Sequence, residues 1–236
     1  MSPSPALQHR TRIKICGLTR EQDVDAAIAA GADAIGLVLY AKSPRHVSAE
    51  RAGALARRLP PFVTPVLLFV NAGPAEVAAA CAQVPGATLQ FHGDETPAQC
   101  ETMARQCGRS WLRAARIPRD AATGFDLVKF AADYANAQAI LLDAHVEGYG
   151  GGGKTFNWSQ LPPNVNAHLV LSGGLTPANV TDGIVQVRSR GLSLAVDVSS
   201  GVEADGPDGK SLKGIKDAEK IHQFVAAVRA ADRPSA

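Results

Sequence analysis

The sequence predicts a single α/β domain folded as a closed (β/α)8 barrel, the TIM barrel architecture. Short β-rich runs alternate with alanine-rich helical patterns along the chain. Eight such units in 236 residues match the usual size of this barrel. Polar, ionisable and glycine-rich segments follow the predicted strands, whereas the opposite connections are plain. No G-x-G-x-x-G follows the first strand, which disfavours the alternative of a doubly wound open sheet.

The eight strands are predicted in order over residues 12–16, 34–40, 65–70, 88–92, 111–117, 139–143, 169–172 and 194–198. Helical patterns lie between them, and one of these opens on Ser48, a favourable first residue for a helix. The sixth helix is the least well supported, because "NWSQLPP" is short and ends on two prolines. We therefore expect a catalytic barrel over residues 12–230, a loose tail over 1–11 and a short tail over 231–236.

The composition excludes several classes of protein. A net charge of +2 with 19% charged residues argues against disorder, and there is no basic cluster interleaved with aromatic residues to bind nucleic acid. No apolar run reaches the roughly 18 residues of a membrane span. The four cysteines lack the spacing of zinc ligands, so we expect reduced thiols, no metal and a cytoplasmic location.

Strand alternation places Lys14 and Cys16 on one face of the first strand, with Ile13 and Ile15 on the other. The apolar face should meet the helices, so Lys14 and Cys16 should point into the barrel. The last strand lies beside the first after closure, and a buried lysine needs a counter-charge, which predicts a pair with Asp197. A nearby ammonium would favour the thiolate of Cys16, although many free cysteines are simply buried small apolar residues.

Asp143 ends the sixth strand, after the apolar run "AILL" and before four consecutive glycines at positions 150–153. A partly desolvated carboxyl group at the mouth of a barrel could serve as a general acid. It could equally cap a helix or form an Asx turn. The glycine-rich loop is typical of a flap or of a plain linker.

Three further polar side chains are candidates for substrate binding, together with Asp197. Gln90 and His92 share the inner face of the fourth strand, and His92 could instead be a structural histidine. Arg45, in "KSPRHV" after the second strand, suits a planar carboxylate, although it could also be a solvated surface residue.

A phosphate site is predicted where the seventh and eighth strands end, in "LSGGLTPANV" and "DVSSGVE". Glycines let backbone N–H groups approach an anion closely, and a nearby helix N-terminus adds partial positive charge. The candidates are Gly173, Gly174, Ser199, Ser200 and Gly201. Each alone could be a turn or capping residue, but together they lie on adjacent strand ends.

Six motifs in this order resemble the phosphoribosylanthranilate isomerase family of tryptophan biosynthesis. They are "KICGLT", "GLVLYAKSPRHV", "LQFHGDE", "LLDAHVEGYGGGGKTFNW", "LVLSGGLTPANV" and "DVSSGVE…GIKD", and they extend over about residues 12–228. The resemblance implies a (β/α)8 barrel that carries out an Amadori rearrangement of a small phosphosugar without metal or organic cofactor. It also implies that Cys16 is the general base, that Asp143 is the general acid and that Arg45 lies on the anthranilate side of the substrate.

The chain departs from the family pattern at Gly152 and Asn157 in "GGGGKTFNW", and at Lys213 within a longer loop before "GIKD". Two related phosphosugar barrels are alternatives. An indole-glycerol-phosphate synthase would need lysine and glutamate as its acid and base, and a ribulose-phosphate epimerase would need metal-binding histidines. A catalytically inactive phosphosugar-binding scaffold is a third alternative. In the absence of an evident apolar patch, we expect a monomer.

Overall fold

The computed structural model describes residues 10–118, 125–144 and 157–233. Its eight parallel strands form a closed barrel in chain order, from β1 to β8, which confirms the predicted fold class. The strands are β1 (Arg12–Cys16), β2 (Ala34–Val38), β3 (Thr64–Phe69), β4 (Thr88–Phe91), β5 (Trp111–Ile117), β6 (Ala139–Ala144), β7 (His168–Leu171) and β8 (Ser193–Val198).

Seven α-helices lie within the described ranges and cover the outside of the barrel. They are α1 (Glu21–Ala30), α2 (Ala49–Ala56), α3 (Pro74–Gln83), α4 (Pro97–Cys107), α5 (Leu127–Asp133), α6 (Val180–Val187) and α7 (Ala218–Ala231). Between β6 and β7 the described residues hold a 3-10 turn at Trp158–Gln160, where the sequence offered little support for a helix. No helix in the described ranges is both long enough and apolar enough to span a membrane.

The predicted strands lie within two residues of the observed ones at every end. The helix start at Ser48 is also confirmed, because its hydroxyl accepts a hydrogen bond from the backbone N–H of Arg51. An additional antiparallel hairpin, β9 (Glu203–Asp205) and β10 (Ser211–Lys216), follows β8. The sequence predicted only a longer loop there, because the short strands carry no clear alternation.

The register of β1 brings the candidate residues together. Closure of the barrel pairs Lys14 with Asp197 on β8, while on the other side Cys16 pairs with Gly36 on β2. Residues two apart on a strand share a face, so both Lys14 and Cys16 point inward, as their alternation predicts.

The core has two layers. The larger one lies between the barrel and its helices, and includes Ile13, Ile15, Leu89 and Phe91. Inside the barrel, a smaller cluster of apolar side chains is formed by Val66, Leu112, Ala114, Ala139, Leu141 and Val170. These side chains fill the amino-terminal part of the lumen. The polar side chains that come next at inward-facing positions of the strands therefore lie at the carboxyl-terminal mouth.

The two ends of the chain are joined at the opposite face. The backbone N–H and the hydroxyl of Thr11 each donate to the carboxylate of Asp232, both at 2.7 Å. Arg188 donates to the same carboxylate. Thr11 is buried, so the last residue of the predicted N-terminal tail is fixed against the residue that follows α7. These contacts stabilise barrel closure and lie far from the strand ends where chemistry is expected.

Candidate active site

A cavity opens at the carboxyl ends of the strands and brings together nearly all of the predicted site residues. Its lining includes Cys16, Arg45, Gln90, His92, Asp143, Gly173, Gly174, Asp197, Ser199 and Ser200. Gly201 is not among the lining residues. An apolar wall of Val38, Tyr40, Leu68 and Val70 completes one side. Residues from seven different strand ends therefore form one site, which has both an apolar surface and polar groups.

Cys16 lies at the end of β1 with its side chain buried in the lumen. Its position depends on Gly36 of the neighbouring strand, because a Cβ at Gly36 would lie 2.5 Å from the Cys16 Sγ atom. Burial raises the pKa of the Cys16 thiol above its ordinary value, while the neighbouring Lys14 ammonium opposes that rise. Lys14 therefore favours the thiolate, as expected, but desolvation is the larger effect.

The predicted pair between Lys14 and Asp197 is confirmed. Lys14 Nζ donates to Asp197 Oδ1 at 2.7 Å, and both side chains are buried. Burial opposes the charged amine, but the Asp197 carboxylate raises the pKa of Lys14 overall. Ser172 Oγ donates to the other carboxylate oxygen at 3.1 Å. The ammonium is thus held as a fixed positive charge next to Cys16.

Asp143 ends its strand on the other side of the cavity and contacts a different network. Its Oδ2 lies 3.0 Å from His92 Nε2, and His92 Nδ1 lies 3.0 Å from Gln90 Nε2. All three side chains are buried. Alternation on β4 predicted that Gln90 and His92 share the lumen, but alternation alone could not predict the hydrogen-bonded chain to Asp143.

Arg45 is buried and paired, unlike the solvated arginine that was one reading of the sequence. Its Nε and Nη2 donate to the two carboxylate oxygens of Glu203 at 2.6 and 2.9 Å. Glu203 also accepts from the backbone N–H of Gly214 at 2.9 Å and from Ser211 Oγ at 2.8 Å. Sequence reasoning missed Glu203, although a glutamate directly after the glycine-rich end of β8 was the available signal. The β9–β10 hairpin therefore anchors Arg45.

Lys216 places a second buried amine near this pair. Its Nζ donates to the backbone carbonyl of Ser199 at 2.9 Å and lies 3.5 Å from Glu203 Oε1. Burial lowers the pKa of Lys216 to about 8, despite the opposing effect of Glu203. Burial would raise the pKa of Glu203, but hydrogen bonds from Arg45 and the charge of Lys216 lower it to about 2. Glu203 is thus ionised in the folded protein near neutral pH.

The loops after β7 and β8 pack against each other through glycine backbones. Gly173 and Gly174 adopt φ angles of 78° and 68°, which favour glycine. A Cβ at Gly201 would lie 1.9 Å from the carbonyl oxygen of Leu175, so only glycine fits where the two loops touch. Ser199 and Ser200 lie at the start of the 3-10 turn Ser200–Val202. This pair of loops forms a concave, glycine-rich surface beside the cavity.

The departures from the family pattern differ in their consequences. Gly152, with the rest of the glycine run at 150–153, lies outside the described residues. Asn157 caps the 3-10 turn that follows. Its side-chain oxygen accepts hydrogen bonds from the backbone N–H of Ser159 at 3.1 Å and from the Ser159 hydroxyl at 2.8 Å. Lys213 lies on the hairpin, with its Nζ atom 3.7 Å from Glu203 Oε2. Within the ranges that the structure describes, no cluster of three or more histidine, cysteine or carboxylate side chains could hold a metal ion.

Comparison with known sequences gives a consistent result. Residues 13–227 match the family described as N-(5'-phosphoribosyl)anthranilate (PRA) isomerase. The chain is 64% identical over 232 residues to the N-(5'-phosphoribosyl)anthranilate isomerase of Leptothrix cholodnii, covering 98% of this chain and 96% of that protein. The enzyme of the same name from Methylibium petroleiphilum is 63% identical over 223 residues, covering 94% and 96% of the two chains.

Solved structures agree with the sequence comparisons. The phosphoribosyl anthranilate isomerase of Thermotoga maritima superposes with a TM-score of 0.79 at 37% identity, covering 93% of this chain and 99% of that one. A second structure of such an enzyme, in complex with reduced 1-(o-carboxyphenylamino)-1-deoxyribulose 5-phosphate, gives a TM-score of 0.76 at 34% identity, with the same coverage. Sequence, barrel and cavity together lead to one conclusion: the chain belongs to the N-(5'-phosphoribosyl)anthranilate isomerase family.

Proposed function

We propose that the chain isomerises N-(5-phospho-β-D-ribosyl)anthranilate to 1-(2-carboxyphenylamino)-1-deoxy-D-ribulose 5-phosphate, the third step from chorismate to tryptophan, with Asp143 as acid and Cys16 as base. The observation that carries the assignment of roles is that both side chains line one cavity, beside two glycine-rich strand ends. An Amadori rearrangement needs one group that gives a proton to oxygen and another that takes one from carbon.

Ring opening is the first step. The protonated carboxyl of Asp143 gives its proton to the furanose ring oxygen while the bond between that oxygen and C1′ breaks. The electron pair of the anthranilate nitrogen forms a double bond to C1′, which gives a protonated Schiff base. The hydrogen bond between Asp143 and His92 keeps the carboxyl group directed into the cavity.

Proton transfer from carbon is the second step. The Cys16 thiolate removes the C2′ proton, the C1′–C2′ bond becomes double, and the electrons of the Schiff base return to nitrogen. The enolamine then takes a proton at C1′ and loses the proton of its C2′ hydroxyl, which gives the ketone. Because burial raises the pKa of the thiol, the fixed ammonium of Lys14 is the group that makes the thiolate accessible.

Arg45 is proposed to bind the anthranilate carboxylate. Glu203 occupies the edge formed by Nε and Nη2, so the edge formed by Nη1 and Nη2 is left to receive a second carboxylate. The guanidinium lines the cavity, and its bidentate partner on the hairpin prevents it from rotating. Arg45 would then orient the aromatic end of the substrate against the apolar wall.

The phosphate is proposed to bind at Gly173, Gly174, Ser199, Ser200 and Gly201. The support is the concave surface made by the two loops and the close approach that their glycines allow. Asp197 and His92 are proposed to contact the sugar between the two ends, and the fully buried Gln90 is proposed to act on it through His92. Asp197 can do so with the remaining lone pairs of its carboxylate oxygens.

Replacement of the acid and the base tests these roles. We expect Cys16→Ala and Asp143→Asn each to lower kcat by about 10²–10⁴-fold in a fluorescence assay with freshly made phosphoribosylanthranilate. Cys81→Ala is the matched control, because Cys81 is a buried cysteine on α3. Turnover of either site variant within about tenfold of the wild-type rate would show that the assigned roles are wrong.

We also propose that the chain acts as a monomer in the cytoplasm. The candidate site is assembled from strand ends of one barrel, and all four cysteines are free thiols. The fully exposed Phe62 is the feature that argues for association instead, since its side chain is 99% exposed. Light scattering at assay concentration decides the question, and a stable dimer that Phe62→Ser dissociates would contradict the monomer.

A further inference from the structure

Gln90 has an unusual position for an amide side chain. It is fully buried, and its strand neighbours in register are Leu68 on β3 and Leu112 on β5. Its Nε2 meets His92 Nδ1 at 3.0 Å, but its Oε1 has no hydrogen-bond partner among the described residues. A buried amide oxygen without a partner is costly, so its retention in an apolar neighbourhood calls for a reason.

The three-residue chain from Gln90 through His92 to Asp143 allows two complete arrangements. In one, the amide N–H of Gln90 donates to Nδ1, so the imidazole carries its proton on Nε2 and donates to an ionised Asp143. In the other, the amide is rotated by half a turn and its oxygen accepts from Nδ1–H. Nε2 then accepts from the O–H of a protonated Asp143. Neutral His92 serves both states of the carboxyl group.

The unpartnered oxygen makes the two arrangements interchangeable. If another group held the amide, one orientation would be fixed and His92 could satisfy only one protonation state of Asp143. The side chains of Leu68 and Leu112 offer no polar atom on either side, so among the described residues the contact with His92 orients the amide. An acid that gives up and regains a proton in each cycle needs such a two-way partner.

We propose that Gln90 is a positioning residue that presents either end of its amide to His92, so that His92 donates to ionised Asp143 and accepts from protonated Asp143. This inference rests on the proposed function, in which Asp143 is the acid. Gln90 acts through His92, and the predicted effect of its replacement is on kcat. A direct contact between Gln90 and the substrate would instead affect KM.

The side-chain nitrogens of His92 in the whole chain provide the direct test by nitrogen-15 NMR, with the signals assigned by their loss in His92→Asn. In the wild type we expect the neutral ring to exchange its proton between Nε2, when Asp143 is ionised, and Nδ1, when Asp143 is protonated. We expect no such exchange in Gln90→Leu or in Asp143→Asn. Among the described residues, the other ionisable groups that line the cavity are Cys16, Tyr40, Arg45 and Asp197. The Asp143→Asn variant separates their effects from that of Asp143.

Kinetics provide the second readout. Gln90→Leu should lower kcat by about 10- to 100-fold, a part of the usual contribution of a general acid, with KM within threefold. His92→Gln, whose amide can also donate or accept, should retain more activity than His92→Leu. Thr88→Val is the matched control, because Thr88 points into the lumen two residues before Gln90 and bonds Ser110 instead.

Two results would overturn the inference: a wild-type His92 that keeps its proton on Nε2 until the ring becomes doubly protonated, or a Gln90→Leu variant that raises KM with kcat unchanged. Either can occur while Asp143→Asn remains inactive, in which case the proposed function stands. An active Asp143→Asn variant would instead refute the role of the acid.

Discussion

Gly36→Ala is expected to disable the site although it replaces no catalytic side chain. The new Cβ would lie 2.5 Å from Cys16 Sγ, 3.0 Å from Cys16 Cα and 3.0 Å from Lys14 Nζ, whereas ordinary contacts begin at 3.4 Å. The sulfur must therefore move by about 0.9 Å or adopt another rotamer. Both paired strands belong to a closed barrel, so the backbone can yield little.

The magnitude follows from that displacement. A misplacement of about 1 Å costs a reacting group on the order of 100-fold in rate, so kcat/KM should fall by about that factor. Overpacking of a filled interior should destabilise the fold by about 1–3 kcal/mol, which thermal unfolding would detect. Activity and unfolding must be measured on the same preparation, below the transition, so that loss of folded protein is not counted as loss of catalysis.

Gly73→Ala is the control for the loss of a glycine. Gly73 has an extended backbone at the start of α3, and a Cβ there would meet nothing within 4 Å. We expect it to retain full activity. A Gly36→Ala enzyme with kcat/KM within threefold of the wild type would refute the reasoning, because it would show that the position of Sγ is not set by this contact.

Three further predictions concern charge. Because the Lys14 ammonium opposes the rise in the pKa of Cys16, Lys14→Met should lower kcat/KM at neutral pH by on the order of tenfold in the fluorescence assay. The pKa of Glu203 is lowered from 4.5 to about 2 in the folded protein, so its ionised form stabilises the fold by about 3 kcal/mol above pH 4.5, and this contribution is lost as the pH falls towards 2. Glu203→Gln should therefore weaken the dependence of the free energy of unfolding on pH between 4.5 and 2, as measured by denaturant titrations. An unchanged dependence would contradict the assignment. Asp232→Ala should lower stability by about 2 kcal/mol, through lost bonds to Thr11, and leave kcat unaltered.

The parts of the site that the sequence predicted are those fixed by strand alternation and barrel closure. Cys16 and Lys14 had to face inward together, and closure had to bring Asp197 beside them. The same alternation put Gln90 and His92 in the lumen. These placements need only a period of two residues and the knowledge that the last strand meets the first.

The parts that the sequence did not predict depend on the geometry of irregular or short segments. Glu203 reaches Arg45 because a hairpin of two short strands with a shifted register folds back over the second strand end. Neither the register nor the return path has a periodic signal. The bond between His92 and Asp143 depends on rotamers across two strands, which alternation leaves undetermined.

The base must lose a proton and the acid must hold one, and the two sides of the cavity meet these needs with neighbours of different charge. Cys16 lies beside Lys14, with Lys216 as a second cation that lowers its pKa. Asp143 instead bonds His92, whose own partner is the neutral amide of Gln90. A thiol must lose a proton to act as a base, and nearby cations assist that loss. A carboxyl group must hold a proton to act as an acid. A fixed cation at hydrogen-bonding distance would favour loss of that proton, whereas a neutral imidazole that can accept a hydrogen bond does not. The two amines lie on the side of β1, and the neutral pair of Gln90 and His92 lies on the side of β4 and β6. One small cavity can therefore contain both a base and an acid.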